Sequence, residues 1–345
     1  MLMSKFFIFT KNNDYDNYVK EYKININYVD ENNFSENLEL IENNSIVFTD
    51  LFISKKDLLW INNNNIDSNN LINKILLKKN IKLIKILNVS NQIYTLFEAI
   101  FFLYSLKNDT NFFNNKIDVT NNLLKNKDII VCGNGNKCDS SLINSFDLKF
   151  TMNSFFVKES KIRADHIKIT NDNDNDNKRI KESNIIWYMG SFKVQNNLNY
   201  CQNNNIKILS KQQIFSSKIS NYNIKDNLFY IKENTLEDKI INFFNIGRTI
   251  FTGLFLTVIL LSNKLNINFF LSITGISIDL EKDYISERNI DGVDYVVWTY
   301  DNHEQWFKKQ NLHAADGIEI ETSKNNKIKY FFNILIDNEI IKTYT

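Results

Sequence analysis

The chain has 345 residues, of which 43% are apolar, and it carries a net charge of +1 from 41 basic and 40 acidic side chains. This apolar content excludes wholesale disorder and is enough to bury a core. The balanced charge gives no basic surface, so nucleic acid is not expected as a partner.

Residues 1–125 are predicted to alternate strands with helices, which indicates a layered α/β structure. This part contains no glycine, histidine or cysteine, and we identify no candidate site in it. The polar run 107–128 is interpreted as a connector. The candidate strands are 5–10, 24–29, 45–52 and 81–89, and the candidate helices are 69–79 and 93–106.

A second α/β pattern begins at residue 128, so we divide the chain into an N-terminal α/β domain of unknown role, 1–125, and a catalytic domain, 126–345. The expected fold class is α/β, with a mostly parallel sheet, flanking helices and an N-terminal α/β extension. The candidate strands of the second part are 128–133, 148–153, 166–170, 184–190, 206–210 and 268–275.

Cysteine usage and apolar segments bear on localisation. Three cysteines without zinc-type spacing predict a reducing compartment and no structural metal. The apolar segments 93–106 and 249–261 are shorter than the roughly 20 residues needed to span a bilayer, so we predict buried helices. We expect a cytoplasmic protein, with peripheral contact at the inner face of a membrane left open.

The stretch IIVCGNGN, residues 129–136, predicts a buried strand that runs into a tight turn. Two of the chain's eight glycines, Gly133 and Gly135, lie here. Glycine lets a ligand approach the backbone, and a following helix can direct its amides at a phosphate. The dinucleotide fingerprint is incomplete because Cys138 occupies the third glycine position. An ordinary strand-to-helix turn is the alternative interpretation.

Three successive candidate strands end in asparagine, at Asn134, Asn153 and Asn171. An asparagine side chain offers both a donor and an acceptor, which suits a nucleobase, a ribose or a sugar. Asparagine is abundant throughout the chain, so chance placement is the alternative for any one of them.

A second block, residues 246–279, begins an apolar helix at Thr252 and Gly253 and ends with a strand at Gly275. A Thr-Gly pair at a helix start offers a hydroxyl and N-terminal amides to an anion. The alternative is that Thr252 only caps the helix and that Gly253 only packs.

A third block, residues 293–321, carries His303 and His313. A histidine that titrates near neutrality suits a general base acting on a hydroxyl, although a lone histidine is more often structural. Tyr284 and Tyr300 are candidate donors to phosphate oxygens.

These blocks, in this order, resemble the sialyltransferases of glycosyltransferase families 42 and 29. The resemblance covers roughly residues 128–325. It implies a Rossmann-like domain with a mobile lid region and an inverting, metal-independent transferase without a cofactor. The expected donor is a CMP-linked sialic acid or related nonulosonic acid, and the expected acceptor is a surface glycan or glycolipid of lipooligosaccharide or capsule type. His313 would deprotonate the acceptor hydroxyl.

The resemblance also implies roles for the other motif residues. Asn134 and Asn153 would contact the nucleotide and the donor sugar. Thr252 and Gly253 would hold the donor near its carboxylate or phosphate, and Gly275 would lie against the cytidine.

The chain departs from the family pattern at several positions. Asn136 and Lys137 replace the usual Pro-Ser, Thr151 or Met152 stands where an arginine is usual, and Ser277 stands where an aspartate is usual. Two alternatives therefore stay open. One is an enzyme of the motility-associated or pterin pyrophosphokinase-like group, and the other is a non-catalytic module that retains the fold. The identity of the sugar and the oligomeric state are left open as well.

Overall fold

The computed structural model describes residues 6–10, 25–28, 34–50, 75, 78–85, 90–114, 117–133, 140–152, 184–189, 205–211, 228–231, 236–244, 252–274, 276, 287–290, 293–296 and 326–344. Its strands are β1 (Phe6–Thr10), β2 (Asn25–Tyr28), β3 (Ile46–Thr49), β4 (Lys82–Lys85), β5 (Phe112–Asn114), β6 (Ile117–Asp118), β7 (Asp128–Cys132), β8 (Leu148–Met152), β9 (Ile185–Met189), β10 (Lys207–Lys211), β11 (Leu228–Ile231), β12 (Phe270–Thr274), β13 (Glu287–Ile290), β14 (Val293–Val296) and β15 (Lys342–Tyr344). Its helices are α1 (Phe34–Leu40), α2 (Ser90–Leu106), α3 (Thr120–Leu124), α4 (Ser140–Asn144), α5 (Leu236–Phe244), α6 (Thr252–Lys264) and α7 (Asn326–Asp337).

The larger sheet has nine strands within the described ranges, in the order β15-β12-β7-β8-β9-β10-β11-β5-β6. The strands from β15 to β11 pair in parallel, and β5 and β6 add an antiparallel edge. Parallel strands are covered on both faces, so they are continuous apolar runs. The run Ile129–Cys132 in β7 is entirely buried. The prediction of an α/β fold with a mostly parallel sheet is therefore confirmed.

The smaller sheet, in the part of the chain that the structure describes, has four parallel strands in the order β2-β1-β3-β4. All four were predicted from the N-terminal sequence, and they form a sheet of their own. A separate antiparallel pair joins β13 to β14. The division of the chain at residue 125 stays a prediction.

The run 107–128, interpreted as a connector, instead contains β5, β6 and α3. Strand β5 pairs with β11 and so belongs to the larger sheet. The interpretation was wrong because strands of two and three residues are too short to show an alternating pattern. Strand β11 and helices α5 and α7 were not named from the sequence either.

Helix α2 packs against the smaller sheet through its aromatic side chains and contacts α6 on its other side. Its Phe97 ring lies 4.5 Å from the ring of Phe48 in β3, and its Phe101 ring lies 4.6 Å from the ring of Phe6 in β1. Its Leu103 carbonyl accepts a hydrogen bond of 3.0 Å from Ser262 Oγ in α6. One continuous apolar cluster therefore includes residues from both sheets.

The two apolar segments predicted to be buried helices form α2 and α6. Helix α6 is buried from Gly253 to Lys264, and its polar end is held inside the fold. There Asn263 Nδ2 donates to the Thr110 carbonyl at 2.8 Å. Among the described helices, none combines the length and the apolar character needed to cross a membrane.

Candidate functional site

The glycine turn begins where β7 leaves the larger sheet. Gly133 follows the last residue of β7 and is buried. Its backbone N–H donates to the carbonyl oxygen of Thr274 at 2.7 Å. The first glycine of the turn is therefore held directly against the last residue of β12.

The strand register brings the described ends of β7, β8 and β12 together at one edge of the sheet. Cys132 in β7 pairs with Thr274 in β12 on one side and with Thr151 in β8 on the other. In the sequence, Gly275 follows Thr274 directly, and Asn153 comes two residues after Thr151. The described ends of β7, β8 and β12 therefore lie next to each other, as parallel strands require.

The order of the strands changes direction at β7. The chain continues from β7 to β8 on one side and later returns through α6 to β12 on the other. Because crossovers between parallel strands are right-handed, we expect α4 and α6 on opposite faces of the sheet. In open α/β sheets, ligands bind in the crevice at such a reversal, beyond the carboxyl ends of the strands. The reversal between β7 and β12 is therefore the candidate functional site.

Helix α6 begins at the same edge. It packs against β7 and β12, and its last residue, Lys264, donates to the carbonyl of Phe269, just before β12. The 13 residues of α6 span about 20 Å at 1.5 Å per residue. A five-residue strand such as β12 spans about 16 Å, so the helix is long enough to run from one edge of the sheet to the other. A helix that ends at the amino edge of β12 therefore starts near its carboxyl edge, with Gly253 buried in its first turn.

A row of polar residues lies directly below the site. Thr151 and Thr274 flank Cys132 in the same register, and both threonines are buried. Thr151 Oγ1 has no hydrogen-bond partner among the described residues. A buried hydroxyl without a partner costs about 1–3 kcal/mol, so Thr151 stands out as a group that a ligand or an ordered water could satisfy.

Thr151 was missed as a candidate from the sequence. The signal lies in the strand LKFTM, where Lys149 and Thr151 alternate with Leu148 and Phe150. In a strand with one face in solvent, such alternation is ordinary. In this strand Lys149 and Thr151 are buried too, so the two polar residues lie on a covered face.

Two of the predicted site residues lie within the described ranges. Thr252 and Gly253 begin α6, as predicted, and the carbonyl of Gly253 accepts a 2.7 Å hydrogen bond from Thr257 Oγ1. The other site residues lie outside the described residues, so their placement stays a prediction. They are Asn134, Asn153, Asn171, Gly275, Tyr284, Tyr300 and His313.

The smaller sheet has a comparable polar pair at its carboxyl edge. Thr10 Oγ1, at the end of β1, donates to Asp50 Oδ2, just after β3, at 2.6 Å. The strand order of this sheet also changes direction between β1 and β3. The sequence had indicated no candidate residue in this part of the chain, and Thr10 and Asp50 are the pair that it missed.

The described part of the candidate site includes the first backbone amides of α6 and the Thr151 hydroxyl. These groups donate to anionic and polar oxygens without a metal ion. No group of three or more metal-ligating side chains occurs in the described part of the chain, and the metal independence of the reaction stays a prediction.

Comparison with protein-family models and with curated proteins finds no match for this chain. Function therefore has to be argued from the site itself.

Proposed function

We propose that the chain is a sialyltransferase-like glycosyltransferase that uses a CMP-linked nonulosonic acid and binds it at the reversal between β7 and β12. The larger sheet would then be a Rossmann-like nucleotide-binding unit. The observation that carries the proposal is the hydrogen bond from the Gly133 N–H to the Thr274 carbonyl. This bond joins the ends of β7 and β12. From the sequence motifs, the residues that follow these strands, Asn134 and Gly275, are expected to contact the same nucleotide.

The position of helix α6 supports the proposal independently. A CMP-sugar carries a phosphate and a carboxylate, and the amino end of a helix attracts such anions through its exposed amides and its dipole. Thr252 and Gly253 begin this helix, at the edge where the glycine turn starts. The negative charge that develops on the leaving CMP would be stabilised there.

The proposed reaction is a single displacement. The acceptor hydroxyl oxygen attacks the anomeric carbon of the sugar while the bond from that carbon to the phosphate oxygen breaks. CMP leaves with the bonding electrons, and His313 takes the proton of the attacking hydroxyl. Attack from the face opposite to the leaving group inverts the anomeric configuration.

The test of this proposal is release of CMP from CMP-sialic acid and from CMP-linked legionaminic, pseudaminic and Kdo-type sugars. We expect release from at least one donor, loss of release in His313→Ala, and retention in His303→Ala. His303 is a matched control because it lies in the same sequence block. The proposal fails if no CMP-sugar is hydrolysed or bound, or if His313→Ala is as active as the wild type. Consumption of ATP that depends on magnesium would indicate a pyrophosphokinase instead.

A further inference from the structure

Two lysines are buried at the amino edge of the larger sheet, where it meets the smaller sheet. Lys82 is the first residue of β4, and Lys264 is the last residue of α6. Each is only 1% exposed. Lysine is almost never fully buried unless its ammonium group is paired.

The two side chains bind neighbouring residues of one turn. Lys82 Nζ donates to Asn268 Oδ1, and Lys264 Nζ donates to the Phe269 carbonyl. The carbonyl of Asn268 also accepts a 2.7 Å hydrogen bond from the backbone N–H of Asn126. We call Lys82, Lys264, Asn268 and Phe269 the lysine junction. It links β4 of the smaller sheet to the turn that enters β12 of the larger sheet.

Charged groups of both signs lie around the lysine junction. Lys264 interacts with two other cations, Lys82 and Lys342, and with one carboxylate, Asp128. Lys264 Nζ also lies 5.5 and 5.8 Å from the ring centroids of Phe269 and Phe270. Two buried amines therefore lie near each other, and each donates a hydrogen bond to a neutral oxygen.

Burial lowers the pKa of Lys82 from 10.5 to about 7. Burial also lowers the pKa of Lys264 to about 7, with further lowering by Lys82 and Lys342 and an opposing effect of Asp128. Both amines therefore change charge near neutrality while they still donate hydrogen bonds to the same turn.

We propose that the lysine junction is a pH-sensitive contact between the two sheets, which is firm when its two amines are neutral and weakens when both gain a proton. Protonation places two positive charges in a water-poor site beside Lys342, so repulsion and lost hydration act against the closed contact. Loss of those protons leaves neutral amines that still donate to Asn268 and Phe269.

The direction of the pH dependence follows from proton linkage. In the unfolded chain, each lysine keeps its proton up to about pH 10.5, whereas in the folded protein it loses the proton above about pH 7. Between these values the unfolded chain binds more protons, so stability rises with pH. Below about pH 7 both lysines are protonated in the folded and in the unfolded state. The cost of the buried charges is then fully present, and the stability no longer changes with pH.

The experiment is urea unfolding of the whole chain between pH 7.5 and 9.5, followed by tryptophan fluorescence. For each lysine that is neutral when folded and charged when unfolded, the folding equilibrium constant should rise about tenfold per pH unit. Lys82→Met and Lys264→Met should each remove one such contribution, and the double variant should remove both. Lys125→Met changes an exposed lysine and should keep the wild-type slope.

A flat wild-type profile, or an unchanged slope in the double variant, would overturn the proposal. Proton uptake on unfolding at pH 8.5 gives a second test that needs no variant, with about two protons expected for two such lysines. Hydrogen exchange locates the effect. After correction for intrinsic rates, the Asn126 amide, which donates to Asn268, should lose more protection on acidification from pH 8 to pH 6 than the Val131 amide in β7. Equal loss at both amides would contradict a local junction.

Discussion

The buried polar groups at the two edges of the larger sheet differ in their hydrogen bonding. Helix α6 runs from one edge to the other. At the amino edge, Lys264 and the neighbouring Asn263 are bonded to carbonyls of the same fold. At the carboxyl edge, the Thr151 hydroxyl is buried without a partner among the described residues. Polar groups that bond to one another hold the fold together, whereas a buried group without a partner indicates a ligand or water. Under the proposed function, the amino edge is structural and the carboxyl edge binds the ligand.

The largest effect should come from filling the carboxyl edge. Gly133→Val adds a branched side chain where the backbone is buried against Thr274, so a ligand can no longer approach it closely. We expect CMP to bind at least about 100-fold more weakly, or about 2.8 kcal/mol, by isothermal titration.

The control changes a lysine whose ammonium group lies 6.0 Å from the ring centroid of Phe270, the first residue of β12. Lys342→Met changes the first residue of β15, away from the proposed CMP site. The affinity for CMP should stay within about a factor of two of the wild-type value, which is well below the tenfold change that about 1.4 kcal/mol would give. If both variants lose binding equally, the distinction between the edges is wrong.

A smaller effect is expected when the lysine junction loses an acceptor. Asn268→Ala removes the acceptor of Lys82 and should destabilise the protein by about 1–3 kcal/mol. The loss should be larger at pH 6 than at pH 9, because leaving a charged donor without its acceptor costs more than leaving a neutral one. Urea unfolding at both pH values measures the change. Asn266→Ala, at an exposed position of the same turn, should be close to neutral, and an equal loss there would argue against the junction.

The smallest expected effect is a change in stability that has opposite signs for two buried threonines. Thr151→Val removes a hydroxyl without a described partner and should stabilise the ligand-free protein by about 1 kcal/mol. Thr120→Val removes a hydroxyl that accepts a 2.6 Å hydrogen bond from the Phe112 N–H and should destabilise it by about 1–3 kcal/mol. Thermal unfolding of both variants checks this, and a loss of stability in Thr151→Val would show that its hydroxyl is already satisfied.

The sequence predicted the central strands and missed the short edge strands β5 and β6, for a physical reason. Runs such as Ile129–Cys132 are buried on both faces, so their composition alone marks them as central strands. The pairing of β5 with β11 depends on contacts between residues more than 100 positions apart, and nothing local in β5 reveals it.

The candidate site could be predicted as a set of motifs but not as an arrangement. The sequence named the turn after β7 and the start of α6 because glycine and threonine have specific uses at strand ends and helix starts. It could not show that Gly133 bonds to Thr274, since that contact follows from the order of the strands. It also passed over Lys82 and Lys264, because lysine is expected at the surface and only the fold shows that these two are buried.

The most direct test of the central claim is isothermal titration of CMP into the wild type, Gly133→Val and the double variant Lys82→Met, Lys264→Met. Binding at the carboxyl edge predicts that CMP binds the wild type and the double lysine variant with similar affinity and fails to bind Gly133→Val. Absence of CMP binding to the wild type, or equal binding to Gly133→Val, would contradict the account.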